Sequence, residues 1–180
     1  MAIYTVFEST NMASTKYAER IFDAIADVDV ENGTFGYLDG LAEGESVTYN
    51  FKAGTKAGEA VVVADQPAWD EDTCRKTNQR KDKFVIPAGT RFRVRVVKKL
   101  DEFAVSAEGF TPATRANADV DKYLTIDATG KLVVDDSATE GAAMNAKIMR
   151  KRVMGGVIAT NAHNYGYSRI MYEVKVESLA

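Results

Sequence analysis

Several stretches of this chain place reactive side chains at spacings that chemistry uses. Asp27, Asp29 and Glu31 alternate ahead of Asn32-Gly33, a superficial match to a calcium-binding loop. In that loop glycine follows the third acid directly and a bidentate glutamate stands at the twelfth place. Here Asn32 intervenes and the twelfth residue is Leu38, so the stretch reads as a polar strand face running into a turn. Residues 53–58 (AGTKAG) set a lysine between glycines but lack the Gly-Lys-Ser/Thr order and the helix of a phosphate loop. They read as a turn. His163 is the only histidine, which rules out a two-histidine metal site and leaves any triad resting on one residue. Residues 166–170 (GYSRI) miss the second glycine of a nucleophile elbow. Cys74 lies beside Arg75 and Lys76, cations that favour a thiolate, but no base partner is evident. The sequence predicts a protein without catalytic residues, cofactor or metal. Its function must come from surfaces.

The surface with the clearest pattern lies in residues 83–106. Phe92, Val94 and Val96 alternate with Arg91, Arg93 and Arg95, a period of two that makes one strand face apolar and the other triply cationic. Pro87 fits just ahead of such a strand, Gly89 marks a turn, and Phe103 and Val105 resume the pattern as a second strand. Upstream, Arg75, Lys76, Arg80 and Lys81 add to the basic side. Between residues 75 and 99 there are ten bases against Asp82, whereas residues 19–45 hold eight acids against Arg20. Two readings stay open. The segments neutralise each other within one fold, or they dock neighbouring molecules head to tail. A basic row can also grip phosphates, but nucleic-acid binders pair it with exposed aromatics or a recognisable module, and neither is present. The expectation is no nucleic-acid partner.

The elements that must carry these residues are mostly strands. Residues 3–7 (IYTVF) form a short β-prone segment, with Ile3, Tyr4, Val6 and Phe7 available to pair with a neighbour by strand addition or to complete their own sheet. Residues 14–26 follow in helical period, Tyr17, Ile21, Phe22 and Ile25 sharing a face behind a Ser14 N-cap. Val28 and Val30 alternate with acids up to Asn32-Gly33, the dipeptide of a type I′ hairpin, and Phe35 and Tyr37 lie beyond it. Val47, Tyr49 and Phe51 predict a strand, residues 60–64 (AVVVA) a buried one, and residues 66–83 a long, basic, exposed connection. Residues 123–134 (YLTIDATGKLVV) read as a hairpin, residues 142–152 as either helix or strand, and Ile170, Tyr172, Val174 and Val176 as a closing strand. The fold class is therefore mainly β: a small β-barrel or sandwich with one short helix and an extended N-terminal arm. An arm over residues 1–13 and a single β-rich domain over 14–180 are expected. One core is predicted to hold Phe92, Val94, Val96, Tyr49, Val62 and Val174.

Composition sets the remaining bounds. The chain has 180 residues, 46% hydrophobic and 27% charged, with a net charge of −3, which suits a globular domain rather than a disordered one. No apolar run approaches the ~20 residues of a membrane helix, so no membrane partner is expected. The opening MAIYTVFEST has neither the basic nor the apolar region of a signal peptide. A single cysteine excludes an internal disulfide and fits synthesis in a reducing cytoplasm.

The order of these segments resembles a known family. A short apolar arm precedes DVDVENGTFGYLDG, the strand VTYNF and AVVVADQPAWDED. KFVIPAGTRFRVRVVKKLDEFAVS, the hairpin YLTIDATGKLVV and the closing RIMYEVKV follow. The chain resembles the capsid decoration, or cement, proteins of tailed bacteriophages, particularly those of Gram-positive or gut hosts. The resemblance implies a non-enzymatic virion protein, made in the bacterial cytoplasm, that binds the capsid exterior and bridges capsomers against the pressure of packaged DNA. It implies the major capsid protein and neighbouring copies as partners, with a homo-oligomer, a trimer above others, as the expected assembly. The competing readings are a phage head–tail connector, tail or fibre-base protein and, in a different class, a β-sandwich carbohydrate-binding module. That module would need a row of exposed aromatics drawn from Trp69, Tyr165 and Tyr167.

Overall fold

The computed structural model describes residues 3–16, 21–68, 81–154 and 169–180. Its organising strand is the shortest one. Val61, Val62 and Val63 are all buried, because both faces of their segment are covered. Val62 belongs to the interior of a closed barrel, and Val61 and Val63 to the layer between that barrel and a second sheet. A continuous β-branched run is what a strand buried on both faces requires.

The barrel runs in the order β2 (Ile21–Ile25), β4 (Thr48–Ala53), β3 (Phe35–Leu41), β5 (Val62–Ala64), β6 (Phe92–Val96), and β6 pairs back onto β2. All neighbours are antiparallel except β2 and β4. Phe51, Val62, Phe92, Val94 and Val96 fill it. Gly36 is needed here, since a Cβ would stand 2.6 Å from the Phe51 ring and 2.3 Å from the Lys52 carbonyl.

The second unit is a six-stranded sheet. Its order is β1 (Phe7–Asn11), β7 (Glu102–Ser106), β11 (Arg169–Leu179), β10 (Met144–Met154), β8 (Tyr123–Ile126), β9 (Leu132–Asp135). Its inner face packs Phe7, Phe103, Leu124, Leu132, Ile148, Val174 and Val176 against Phe35, Val61 and Val63. Phe35 and Phe7 meet edge to face, with centroids 6.5 Å apart. The β8–β9 turn closes the seam: Phe35 N–H donates to the Gly130 carbonyl at 2.8 Å, while within the barrel Gly54 N–H donates to the Phe35 carbonyl at 3.1 Å.

A mainly β fold with a closed barrel and one short helix agrees with the sequence reading, and so do the alternation of β6, the buried residues 61–64 and the β8–β9 hairpin. Other expectations are corrected. The helix is a single turn, α1 (Ala13–Lys16), and Ile21–Ile25 is a strand. Ladders to β4 and β6 satisfy β2 on both edges, which outweighs a weak helical period. Asn32-Gly33 does not join two hairpin strands. Only Gly33 has positive φ, at 79°, and Thr34 N–H donates to the Glu31 carbonyl at 3.2 Å, the geometry of a type II turn. Upstream of it, only Val30 makes a bridge, to Ile86. The first strand begins at Phe7 and runs through polar FESTN. Over 142–152, where the sequence left helix and strand open, the element is the strand β10, starting at Met144. There are two major cores, not one: Val174 lies in the sheet core and Val62, Phe92, Val94 and Val96 in the barrel. Tyr49 is half-buried, its ring 5.7 Å from that of Phe22.

Candidate docking surface

The acids that resemble a calcium loop are already engaged, each with a different partner. Asp27 pairs with Lys52 at 2.8 Å, and Asp29 accepts the Ala88 N–H at 2.9 Å. Glu31 accepts both the N–H and the hydroxyl of Thr5, at 2.9 and 2.6 Å. Among the described residues no three His, Cys, Asp or Glu side chains gather around one point. Lys56, between the glycines, pairs with Asp39 at 3.0 Å and lies over the Tyr37 ring. Cys74, His163, the segment 166–168 and the aromatics Trp69, Tyr165 and Tyr167 lie outside the described residues. No helix among the described residues is long and apolar enough to cross a membrane.

Of the four apolar arm positions, Ile3 is exposed and Tyr4 half-buried. Tyr4 N–H donates to the Asp82 carbonyl at 3.0 Å. Val6 and Phe7 are buried within their own molecule, Val6 with Ala104 and Met171, Phe7 beside Phe103 and Phe35. Val6 N–H reaches the Ser106 hydroxyl at 3.0 Å, and Ser106 N–H returns to the Val6 carbonyl at 2.9 Å. The arm is thus laid into the fold, because its apolar side chains complete two hydrophobic clusters.

The three arginines of β6 and its approach differ from one another. Arg95 is 13% exposed and bonds Asp65 at 2.5 Å and the Ser14 carbonyl at 3.3 Å. Arg91 is exposed and pairs with Glu45, an ion pair between the basic and acidic segments. Arg93 is exposed; across the ladder its neighbour is Asp23, yet it has no ion pair among the described residues. Lys81 pairs with Glu8 at 3.1 Å. Arg75, Lys76 and Arg80 lie outside the described residues.

Arg93 opens onto a cleft of about 410 Å³ between β1 and residues 65–68. One wall is residues 5–10; the other includes Asp65, Gln66, Arg93 and Arg95. Gln66 is fixed from behind. Asn32 accepts its N–H at 2.9 Å and donates to its carbonyl at 2.8 Å.

A charge ladder on the outer face of the sheet escaped the sequence reading. Arg152 bridges Glu8 of β1 and Glu173 of β11, and Arg150 also grips Glu173. The Arg150 hydrogen bonds hold the Glu173 carboxyl below its ordinary value despite partial burial. Burial pushes Glu8 up, but the hydrogen bonds from Lys81 and Arg152 outweigh it and leave the carboxyl lowered. Arg150 and Arg152 stand two apart in the sequence, but only the cross-strand register shows that they meet Glu173. No protein-family model matches the chain, and neither a curated protein nor a solved structure matches it.

Proposed function

We propose that the chain is a non-enzymatic capsid decoration protein of a tailed phage, which binds the outer surface of the shell and bridges neighbouring capsomers. The resemblance in segment order carries the reading, and the directions in which ten of the titratable groups move among the described residues are compatible with it. The acids Glu8, Asp27, Asp119, Asp136 and Glu173 are lowered, and the bases Lys52, Lys56, Lys122, Lys147 and Arg150 are raised. Each moves away from neutrality, toward the charged form its ion pair uses. General acid–base chemistry needs the reverse, groups poised near the operating pH. The pairing suits a body that must stay folded and present fixed surfaces.

The two major cores joined through β5 and the edge of β1, which no other described strand covers, support the same reading. Many modest contacts repeated over a lattice add by multivalency, so no single interface need be large. The partners are the major capsid protein and neighbouring copies of the chain, and the site of action is the capsid exterior.

Co-sedimentation tests this directly. The purified chain should pellet with expanded shells of the phage that carries it and raise their resistance to heat. Shells that neither bind the chain nor gain resistance would count against the proposal.

A further inference from the structure

The cleft beside Arg93 has the parts of a strand-addition site. Among the described strands β1 lies at the edge of its sheet, paired with β7 alone. Because Ser106 N–H bonds the Val6 carbonyl, strand alternation turns the N–H and C=O of Phe7 away from β7, and Phe7 is among the residues that line the cleft. The opposite wall is held in place. Asp65 N–H donates to the Arg93 carbonyl at 3.0 Å, Arg93 N–H to the Gln66 side chain at 3.2 Å, and Asn32 clamps Gln66. Residues 5–10 give a wall of about 20 Å at ~3.3 Å per residue, and the volume falls within the ~300–1,000 Å³ of ligand clefts.

Charge selects the occupant. Among the described residues the lining carries three cations, Lys81, Arg93 and Arg95, against two carboxylates, Glu8 and Asp65. Asp65 is taken up by Arg95 and the Ser9 hydroxyl, and Glu8 by Lys81 and Arg152. Arg93 is left over. We propose that this cleft receives an extended, acid-bearing segment of a partner protein, its main chain added to the edge of β1 and one carboxylate set against Arg93. One guanidinium without an ion pair among the described residues, beside an edge that no described strand covers, fits a peptide better than a nucleic acid, which binds through a row of cations. That the segment belongs to the shell protein rests on the reading above; that it is an acidic strand does not.

The test uses the full chain and two capped hexapeptides, one alternating threonine and glutamate, the other threonine and lysine. The glutamate peptide should bind saturably and slow amide exchange at Phe7. Arg93→Glu and Arg93→Gln should weaken it, the first by about tenfold, while Arg91→Glu, outside the cleft, changes it by less than roughly twofold. Melting curves of the variants confirm that they fold. Equal binding of the lysine peptide, equal loss in Arg91→Glu, or no saturable binding of the glutamate peptide overturns the site. Peptide binding at Phe7 with no binding to shells overturns the capsid reading and leaves the cleft standing.

Discussion

Val62 and Val63 are adjacent in the chain and face different cores, the barrel interior and the barrel–sheet layer respectively. The two units therefore share a strand, and neither can lose its packing without disturbing the other. Val62→Asp and Val63→Asp should each destabilise the whole molecule by several kcal/mol, because each buries an unpaired charge. Far-UV and near-UV circular dichroism should report one coincident thermal transition. Separate transitions for the two probes would show that the cores are independent.

The seam depends on two backbones touching. A Cβ at Gly130 would stand 2.2 Å from the Phe35 carbonyl oxygen and 2.8 Å from the Thr34 methyl, at a φ of 78°. Gly40 has a similar φ of 74° with nothing within 4 Å. Gly40→Ala should cost about 1–2 kcal/mol, the left-handed penalty alone. Gly130→Ala adds a clash with main chain, so denaturant titration should show a clearly larger loss. Equal losses would mean that the close approach is relieved cheaply.

Acid should loosen the outer charge ladder. Glu8 is lowered in the folded state, so its contribution is fully present above the unfolded glutamate value of about 4.3 and is lost as pH falls through the folded value. Glu8→Gln should therefore reduce the melting temperature at pH 7 and converge with the parent at strongly acidic pH. A difference independent of pH would assign Glu8 a packing role instead.

The fold was legible wherever local pattern and tertiary need agreed. The alternation of β6, the valine run of β5 and the turn signals of the β8–β9 hairpin all say one thing at both levels. It failed where they diverged. Residues 21–25 carry a helical spacing, yet the barrel closes only if they pair with β4 and β6. Asn32-Gly33 has hairpin chemistry, but Asn32 spends its side chain on Gln66, across a loop that no local window contains. The docking residues show the same limit. Arg91, Arg93 and Arg95 are equivalent in the sequence, and only the placement of Glu45 and Asp65 distinguishes them.

The central claim concerns where the protein acts, and the composition of the virion tests it most directly. Quantitative mass spectrometry of purified, DNA-filled particles should find the chain at a copy number of the same order as the major capsid protein. Stripping the shell exterior under mild conditions should release it without opening the particle. Absence from the particles, or a copy number matching a single ring at the head–tail vertex, would contradict the account.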